Sequence, residues 1–214
     1  MVQRMYEPWA ISFCLFCGDK SSIGQDLVEK GIEIMNILGQ IDQGILWLLQ
    51  ALRQEWMNPF WKMVTSLGNS GWFWIVTALA LVLCARTRRT GATMLLAMVL
   101  GALVTNVLLK PWVGRVRPYD TLEWLVPVIG PQRDASFPSG HSCAAFATAI
   151  VGREQLPWPY GILLVVLAGL VAFSRLYLGV HYPSDVLAGI LIGIAAARTA
   201  MWIMGKRELP DAEP

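Results

Sequence analysis

Charge is scarce in this sequence. Lys, Arg, Asp and Glu make up 15% of its 214 residues, against about 25% in a typical soluble chain, while 55% are hydrophobic. A soluble domain of this length has too little interior to hide so much apolar surface. The same hydrophobicity excludes intrinsic disorder and a collagen-like repeat. Histidine occurs twice and cysteine four times, too few for a disulfide-stapled secreted scaffold or a His/Cys metal constellation. The 17 basic residues exceed the 15 acidic ones by only two, and no long basic run is present. No nucleic-acid partner is expected.

The places where charge is missing altogether outline a membrane protein. Residues 63–85, 90–109, 135–152 and 155–174 form uncharged runs of 23, 20, 18 and 20 residues. A helix needs about 20 mainly apolar residues to cross the hydrocarbon core. A fifth run, Val186 to Met204, holds one charge, Arg198, which can snorkel if it lies near a helix end. These runs predict an all-α, polytopic membrane helix bundle with five transmembrane helices, centred near Val76, Val99, Ala147, Val166 and Ile192. The third run is short and rich in Ala, and is expected inside the bundle, away from lipid. Gly101, Ala102, Ala144, Ala145, Gly169, Gly189 and Gly193 suit close helix contacts. Cys84 and Cys143 read as small core residues within spans.

The N-terminal part follows a different pattern. Residues 8–17 (PWAISFCLFC) are too short to span and carry no convincing cleavage-site pattern. Cys14 and Cys17 form a lone CxxC, read as ordinary apolar packing. From Ile32 to Leu52, apolar residues recur at 34, 37, 38, 41, 45, 48, 49 and 52, one face of a helix. Glu33, Asp42, Gln43 and Arg53 disfavour a span there and suit a helix lying in the interface; a sixth span is the alternative. Trp47, Trp56 and Trp61 fit that depth, as do Trp72 and Trp112 at span ends. The expected organisation is an N-terminal segment 1–30, amphipathic interfacial helices 31–66, a transmembrane core 67–204 and a cytoplasmic tail 205–214.

Five spans place Arg86, Arg88, Arg89, Lys206 and Arg207 on one side, which the positive-inside tendency makes cytoplasmic. Residues 110–138 and 174–185 fall on the other side, with Lys110, Arg115, Arg117, Arg133 and Arg175. Basic residues kept on a translocated face imply an anionic ligand. Three patterns stand there: Lys110-x6-Arg117-Pro118; Pro138-Ser139-Gly140-His141; and Ser174-Arg175-x5-His181-x3-Asp185. No span separates the first two and two spans separate the second and third, so all three emerge together.

These residues resemble, at every fixed position, the signature of the type 2 phosphatidic acid phosphatase superfamily, which also includes vanadate haloperoxidases and bacterial acid phosphatases. The motifs cover Lys110 to Asp185, and the family's helical core would take in about 67–204. The first 60 residues carry no motif of that family.

The residue types fit the chemistry. His181 with Asp185 four residues on has the relation of a base and its orienter, the carboxylate fixing the tautomer. Asp185 also makes a good cap for the last helix after Pro183, and both roles are compatible. Pro138-Ser139-Gly140-His141 precedes an apolar run and reads as a helix N-terminus, where exposed amides bind phosphate oxygens. Lys110, Arg117 and Arg175, with no acid expected beside them, would repel one another unless an anion sits among them. Arg115 and Tyr119 have no evident role.

The resemblance implies two-step phosphoryl transfer without a metal or other cofactor. His181 would form a phosphohistidine, assisted by Asp185. His141 would protonate the leaving group, and Lys110, Arg117, Ser139, Gly140 and Arg175 would grip the phosphate. The expected function is an integral-membrane lipid phosphatase of the inner (cytoplasmic) membrane, its active site facing outward. Undecaprenyl pyrophosphate ranks first by family analogy, then phosphatidylglycerophosphate, phosphatidate and diacylglycerol pyrophosphate. A lipid phosphotransferase and a non-catalytic lipid-phosphate binding or transport protein are the alternatives. Membrane lipids and the substrate are the only partners expected, with no obligate protein partner.

Overall fold

Apolar runs that cannot leave backbone groups unpaired in hydrocarbon must coil, and the described part of this chain does so. The computed structural model describes residues 22–205, with side chains from residue 29 onward; Cys14, Cys17, Lys206 and Arg207 lie outside the described residues. The main helices are α1 (Ser22–Leu52), α2 (Asn58–Ser66), α3 (Trp72–Leu83), α4 (Arg88–Ala102), α5 (Lys110–Val113), α6 (Pro118–Thr121), α7 (Gly140–Gln155), α8 (Trp158–Tyr177) and α9 (Pro183–Met204). A π-helical segment, Leu103–Leu109, joins α4 to α5. No strand occurs among the described residues.

Three helical stretches are long and apolar enough to cross a membrane: Arg88–Thr121, Trp158–Tyr177 and Pro183–Met204. A fourth arises if Glu55–Ser66 and Asn69–Leu83, bent by 42°, form one broken span. The run centred on Val76 is therefore the second limb of a bent pair, and the break carries Ser70 (φ 52°) and Gly71 (φ 69°). The run 135–152 gives α7, whose 16 residues reach only about 24 Å, because the chain spends residues 135–139 entering the helix. α7 is the central element, packed against α8, α9 and α4. Ala145, Ala147, Ala149 and Val151 are fully buried along it. Apolar side chains on the outer helices, such as Val76, Val99, Leu163, Val166 and Leu191, face outward.

Two glycines of α9 set how closely it meets α7. A Cβ at Gly193 would stand 2.6 Å from the Cys143 carbonyl oxygen, and one at Gly189 would collide with the Ser139 carbonyl. The Ser139 amide also donates to the Asp185 carbonyl at 3.0 Å, so the start of α7 is locked to the first turn of α9. At the opposite end, Arg89 donates to the Met204 carbonyl and Arg198 pairs with Glu154 at 3.0 Å. The start of α4 and the ends of α7 and α9 thus share one end of the bundle, and the three motifs share the other.

Four expectations change. α1 is one continuous helix, and it turns Gly39, Asp42 and Leu46 inward while Ile34, Ile37, Leu38, Ile41, Ile45 and Leu48 stay exposed. Asp42 is therefore not a water-facing residue, because partners inside the protein satisfy it. Trp61 is not an interface anchor but is buried against Phe173 and Tyr177, ring centroids 5.0 and 5.3 Å away. Cys84 is exposed where α3 ends, while Cys143 is buried as expected. Gly169 faces open space rather than a neighbouring helix.

Candidate active site

Each motif reaches the site through a particular piece of backbone. The π segment adds a residue per turn just before Lys110, a distortion common at functional sites. It brings Asn106 and Lys110 to the same neighbour: a Cβ at Gly140 would lie 3.6 Å from Asn106 Oδ1 and 3.9 Å from Lys110 Nζ. After a left-handed turn at Gly114 (φ 59°), the chain delivers Arg117 to the buried side. Ser139 caps α7, its hydroxyl accepting from the Ser142 amide at 3.4 Å and the Ser142 hydroxyl at 3.0 Å. A helix N-terminus with a glycine at its first position is thereby aimed at the cations.

His181 lies on the turn between α8 and α9 and is 2% exposed. Its Nδ1 faces Asp185 Oδ2 at 3.5 Å and Ser136 Oγ at 3.4 Å. Asp185 Oδ2 also accepts from the Ser136 hydroxyl at 2.5 Å and the Tyr182 amide at 2.9 Å. The carboxylate therefore caps α9 and orients the imidazole at once. The other ring nitrogen, Nε2, faces Arg117 Nη1 at 3.4 Å. Burial is the main reason His181 has its pKa lowered from 6.5 to about 4; Arg175 and Arg117 lower it further, against the opposing pull of Asp185. A neutral imidazole at pH 7 has a free lone pair, as a nucleophile requires.

His141 lines a cavity with Lys110, Asp134 and Gly140, its Nε2 3.1 Å from Asn69 Oδ1. Gly68 backs its ring; a Cβ there would stand 2.5 Å from His141 Cδ2. Arg175 is 1% exposed. Its Nη1 donates to Thr65 Oγ1 at 2.7 Å, and its Nε is buried with no hydrogen-bond partner.

One acid was not anticipated among the cations. Asp134 pairs with Lys110 and, at 2.8 Å, with Arg117 Nη2, while its carbonyl accepts from Arg117 Nε at 3.0 Å. The expectation of cations with no nearby acid is thereby corrected: Asp134 supplies part of the countercharge. Burial works to raise its pKa, but hydrogen bonds and charge from Lys110 and Arg117 outweigh that and hold it at about 2. A phosphate group taking both cations must displace this half-exposed carboxylate. Asp134→Asn is expected to tighten inhibition by orthophosphate roughly five- to tenfold, the effect of one charge-assisted contact. An unchanged or weaker inhibition constant would show instead that Asp134 positions Arg117.

All eight expected residues thus sit around one end of the bundle. Sequence reasoning missed Asp134, Ser136, Asn69, Thr65 and Asp42. Ser136 and Asp134 lie just before the second motif, which was a usable signal. Asp42 belongs to an inward line of Gly39, Asp42, Leu46, Gln50 and Arg53 at helical spacing, and the last two reach carbonyls of Trp124 and Val126 at 3.4 and 2.8 Å. Tyr119 gains a role as well, its hydroxyl accepting from the Gln132 amide at 2.9 Å and so bracing the loop.

The family model of the PAP2 superfamily matches residues 90–209, more than half of the chain and all three motifs. The chain belongs to the PAP2 superfamily. Among similar proteins, the undecaprenyl-diphosphatase of Sulfolobus acidocaldarius is 33% identical over 64% of this chain and 66% of its own length. Phosphatidylglycerophosphatase B of Bacillus subtilis is 31% identical over 74% and 81%. The alignments thus span about two thirds to four fifths of these relatives. The crystal structure of the first transmembrane PAP2 type phosphatidylglycerolphosphate phosphatase from Bacillus subtilis superposes with a TM-score of 0.66 at 28% identity, covering 93% of this chain and 96% of that one. With its apolar helices, this chain is an integral membrane phosphatase of the PAP2 superfamily.

Proposed function

We propose that the chain is a lipid phosphatase that removes a terminal phosphate through a phosphohistidine on His181. The observation that carries the lipid reading is a cavity of about 520 Å³. Lys110, Gly140 and His141 line one part of it, and Ile75, Met98 and Val99 of α3 and α4 line another. A phosphate headgroup at the polar part leaves its hydrocarbon against the apolar part, which suits an amphiphile better than a soluble phosphate ester.

Nε2 of His181 attacks phosphorus, and the bond from phosphorus to the leaving oxygen breaks. That oxygen takes a proton from His141, which is protonated once the anionic phosphate sits beside it. Lys110, Arg117, Arg175 and the amides at the start of α7 hold the equatorial oxygens, whose charge grows in the transition state. Neutral His141 then accepts a proton from water as it attacks the phosphohistidine, releasing phosphate and restoring His181. Arg86, Arg88 and Arg89 beside the opposite end of the bundle support an extracytoplasmic site in a cytoplasmic membrane.

Undecaprenyl pyrophosphate is the favoured substrate, supported by the name of the Sulfolobus relative; phosphatidylglycerophosphate follows, supported by the Bacillus one. The test is phosphate release by the purified protein from these two lipids, phosphatidate and diacylglycerol pyrophosphate, with and without EDTA. Undecaprenyl pyrophosphate should give the highest kcat/KM, and the chelator should change rates by less than about twofold. A tenfold preference for another lipid overturns the substrate assignment. Loss of activity to the chelator overturns the metal-free mechanism.

A further inference from the structure

Arg115 occupies no fixed position of the three motifs, yet it reaches the catalytic carboxylate. Its Nη1 donates to Asp185 Oδ1 at 2.5 Å and to Ser184 Oγ at 2.7 Å. Its Nη2 donates to Asp42 Oδ2 at 2.8 Å. Asp42 in turn accepts from the Ser184 amide at 2.9 Å and from its hydroxyl at 2.5 Å. The Tyr182 ring lies 3.9 Å from the centre of the guanidinium, and the Tyr182 hydroxyl meets Thr121 Oγ1 at 2.6 Å. The side chains of Arg115, Asp42 and Asp185 are 9%, 3% and 0% exposed.

We propose that Asp42 and Arg115 are positioning residues for the reaction: α1 holds Arg115 through Asp42, and Arg115 fixes the Asp185 carboxylate that orients His181. The proposal rests on His181 being the nucleophile. It makes α1, which precedes the family-matched region 90–209, part of the catalytic apparatus.

Two physical arguments support it. The first is geometric. A carboxylate has about four lone-pair sites, and Asp185 gives Oδ1 to Arg115 and Oδ2 to Ser136, Tyr182 and His181. Rotation of the carboxylate away from His181 breaks bonds at both oxygens. The second argument is electrostatic. Arg115 alone would cancel the charge of Asp185 and leave it unable to stabilise an imidazolium-like phosphohistidine. Asp42 restores the balance: two carboxylates sharing one guanidinium retain one net negative charge beside His181. In this buried setting such a charge is weakly screened. The other charged or titratable groups acting on His181 are Arg117 from the loop, Arg175 from α8 and His141 from α7.

The test uses the full chain in detergent, with Asp42→Asn, Arg115→Gln, both together, and Ser184→Ala. Asp42→Asn preserves shape and removes charge; it should lower kcat about ten- to a hundredfold, as losing an outer-shell partner does, with KM changed less than about twofold. Ser184→Ala, which removes only the bridging hydroxyl, should lower kcat by a smaller factor and serves if Asp42→Asn fails to fold. The titration of His181, followed by ¹⁵N resonances, should move up in Arg115→Gln and down in Asp42→Asn, and return toward wild type in the double variant. A merely structural role does not predict opposite shifts. Wild-type kcat and titration in Asp42→Asn and Ser184→Ala, with His181→Ala inactive, overturn the proposal alone. Activity surviving in His181→Ala overturns the reading beneath it.

Discussion

His181→Ala should lower kcat by at least about 10⁴-fold, on the scale of losing a covalent nucleophile, and should leave no phosphorylated protein to trap. The geometry makes the loss irreplaceable, because the protein has only one other histidine and it stands against Asn69. His141→Ala should behave differently. Its first step is slowed but its second loses the base that activates water, so wild-type substrate should label the protein with an acid-labile, alkali-stable phosphate. A His181→Ala enzyme within tenfold of wild type removes the mechanism. The sign of the pH effect follows from the lowered pKa. His181 stays neutral down to about pH 4, and below that the rate proposed to depend on its lone pair should fall tenfold per unit. Folding stability drops in the same direction. The unfolded chain takes up a proton near pH 6.5 and the folded site resists until about 4, so this group costs stability as pH falls through that window.

Arg175 should show activity and stability moving apart. Its guanidinium is buried, with Thr65 as its hydrogen-bonded side chain and Nε unpartnered among the described residues. An ion so placed is unfavourable in the resting protein and becomes favourable when a phosphate arrives. Arg175→Lys keeps the charge but loses the planar fork, and should lower kcat/KM about 10²- to 10³-fold, the range for one preorganised donor to a developing charge. Arg175→Met should lose at least as much activity while its unfolding midpoint stays level or rises. Thermal unfolding and kinetics on the same preparations decide this. A midpoint that falls by several degrees in Arg175→Met would mean the arginine holds the fold together rather than waiting for an anion.

How much could be read in advance differs by scale. Helices were legible because hydrocarbon excludes charge, so each uncharged run falls largely within helix, although 63–85 is broken between Ser66 and Trp72 and 135–152 turns helical only at Gly140. The central position of α7 was legible in its alanines, which tolerate backbone approach but offer lipid little. The motif residues were legible because phosphate chemistry needs fixed residue types at fixed spacing along one turn or helix start. Asp42 was misplaced for a physical reason: an acid on an apolar helix satisfies the same pattern whether it faces water or a buried arginine. Its partner Arg115 is 73 residues away, beyond any local periodicity. Asp134 sits in a loop with no period at all, where only the fold brings it to Lys110. Trp61 and Trp72 are chemically identical, and burial alone separates an anchor from a core ring.

The close meeting of α7 and α9 acts as a gauge for the chemistry. Gly189 and Gly193 let α9 bear directly on the backbone of α7, so the spacing between the helix that carries His141 and the helix whose first turn holds Asp185 is set by solid contact. Neither connecting loop can stretch it. The stretch between Thr121 and Asp134 carries none of the groups around His181, so it can differ in length or sequence, reshaping what a headgroup meets, while Arg115, Arg117, Ser136 and Ser139 keep their places. That separation of duties fits similar proteins that are named as an undecaprenyl-diphosphatase and a phosphatidylglycerophosphatase. It also locates the cheapest place to re-engineer selectivity: the loop over the cations, leaving both glycines untouched.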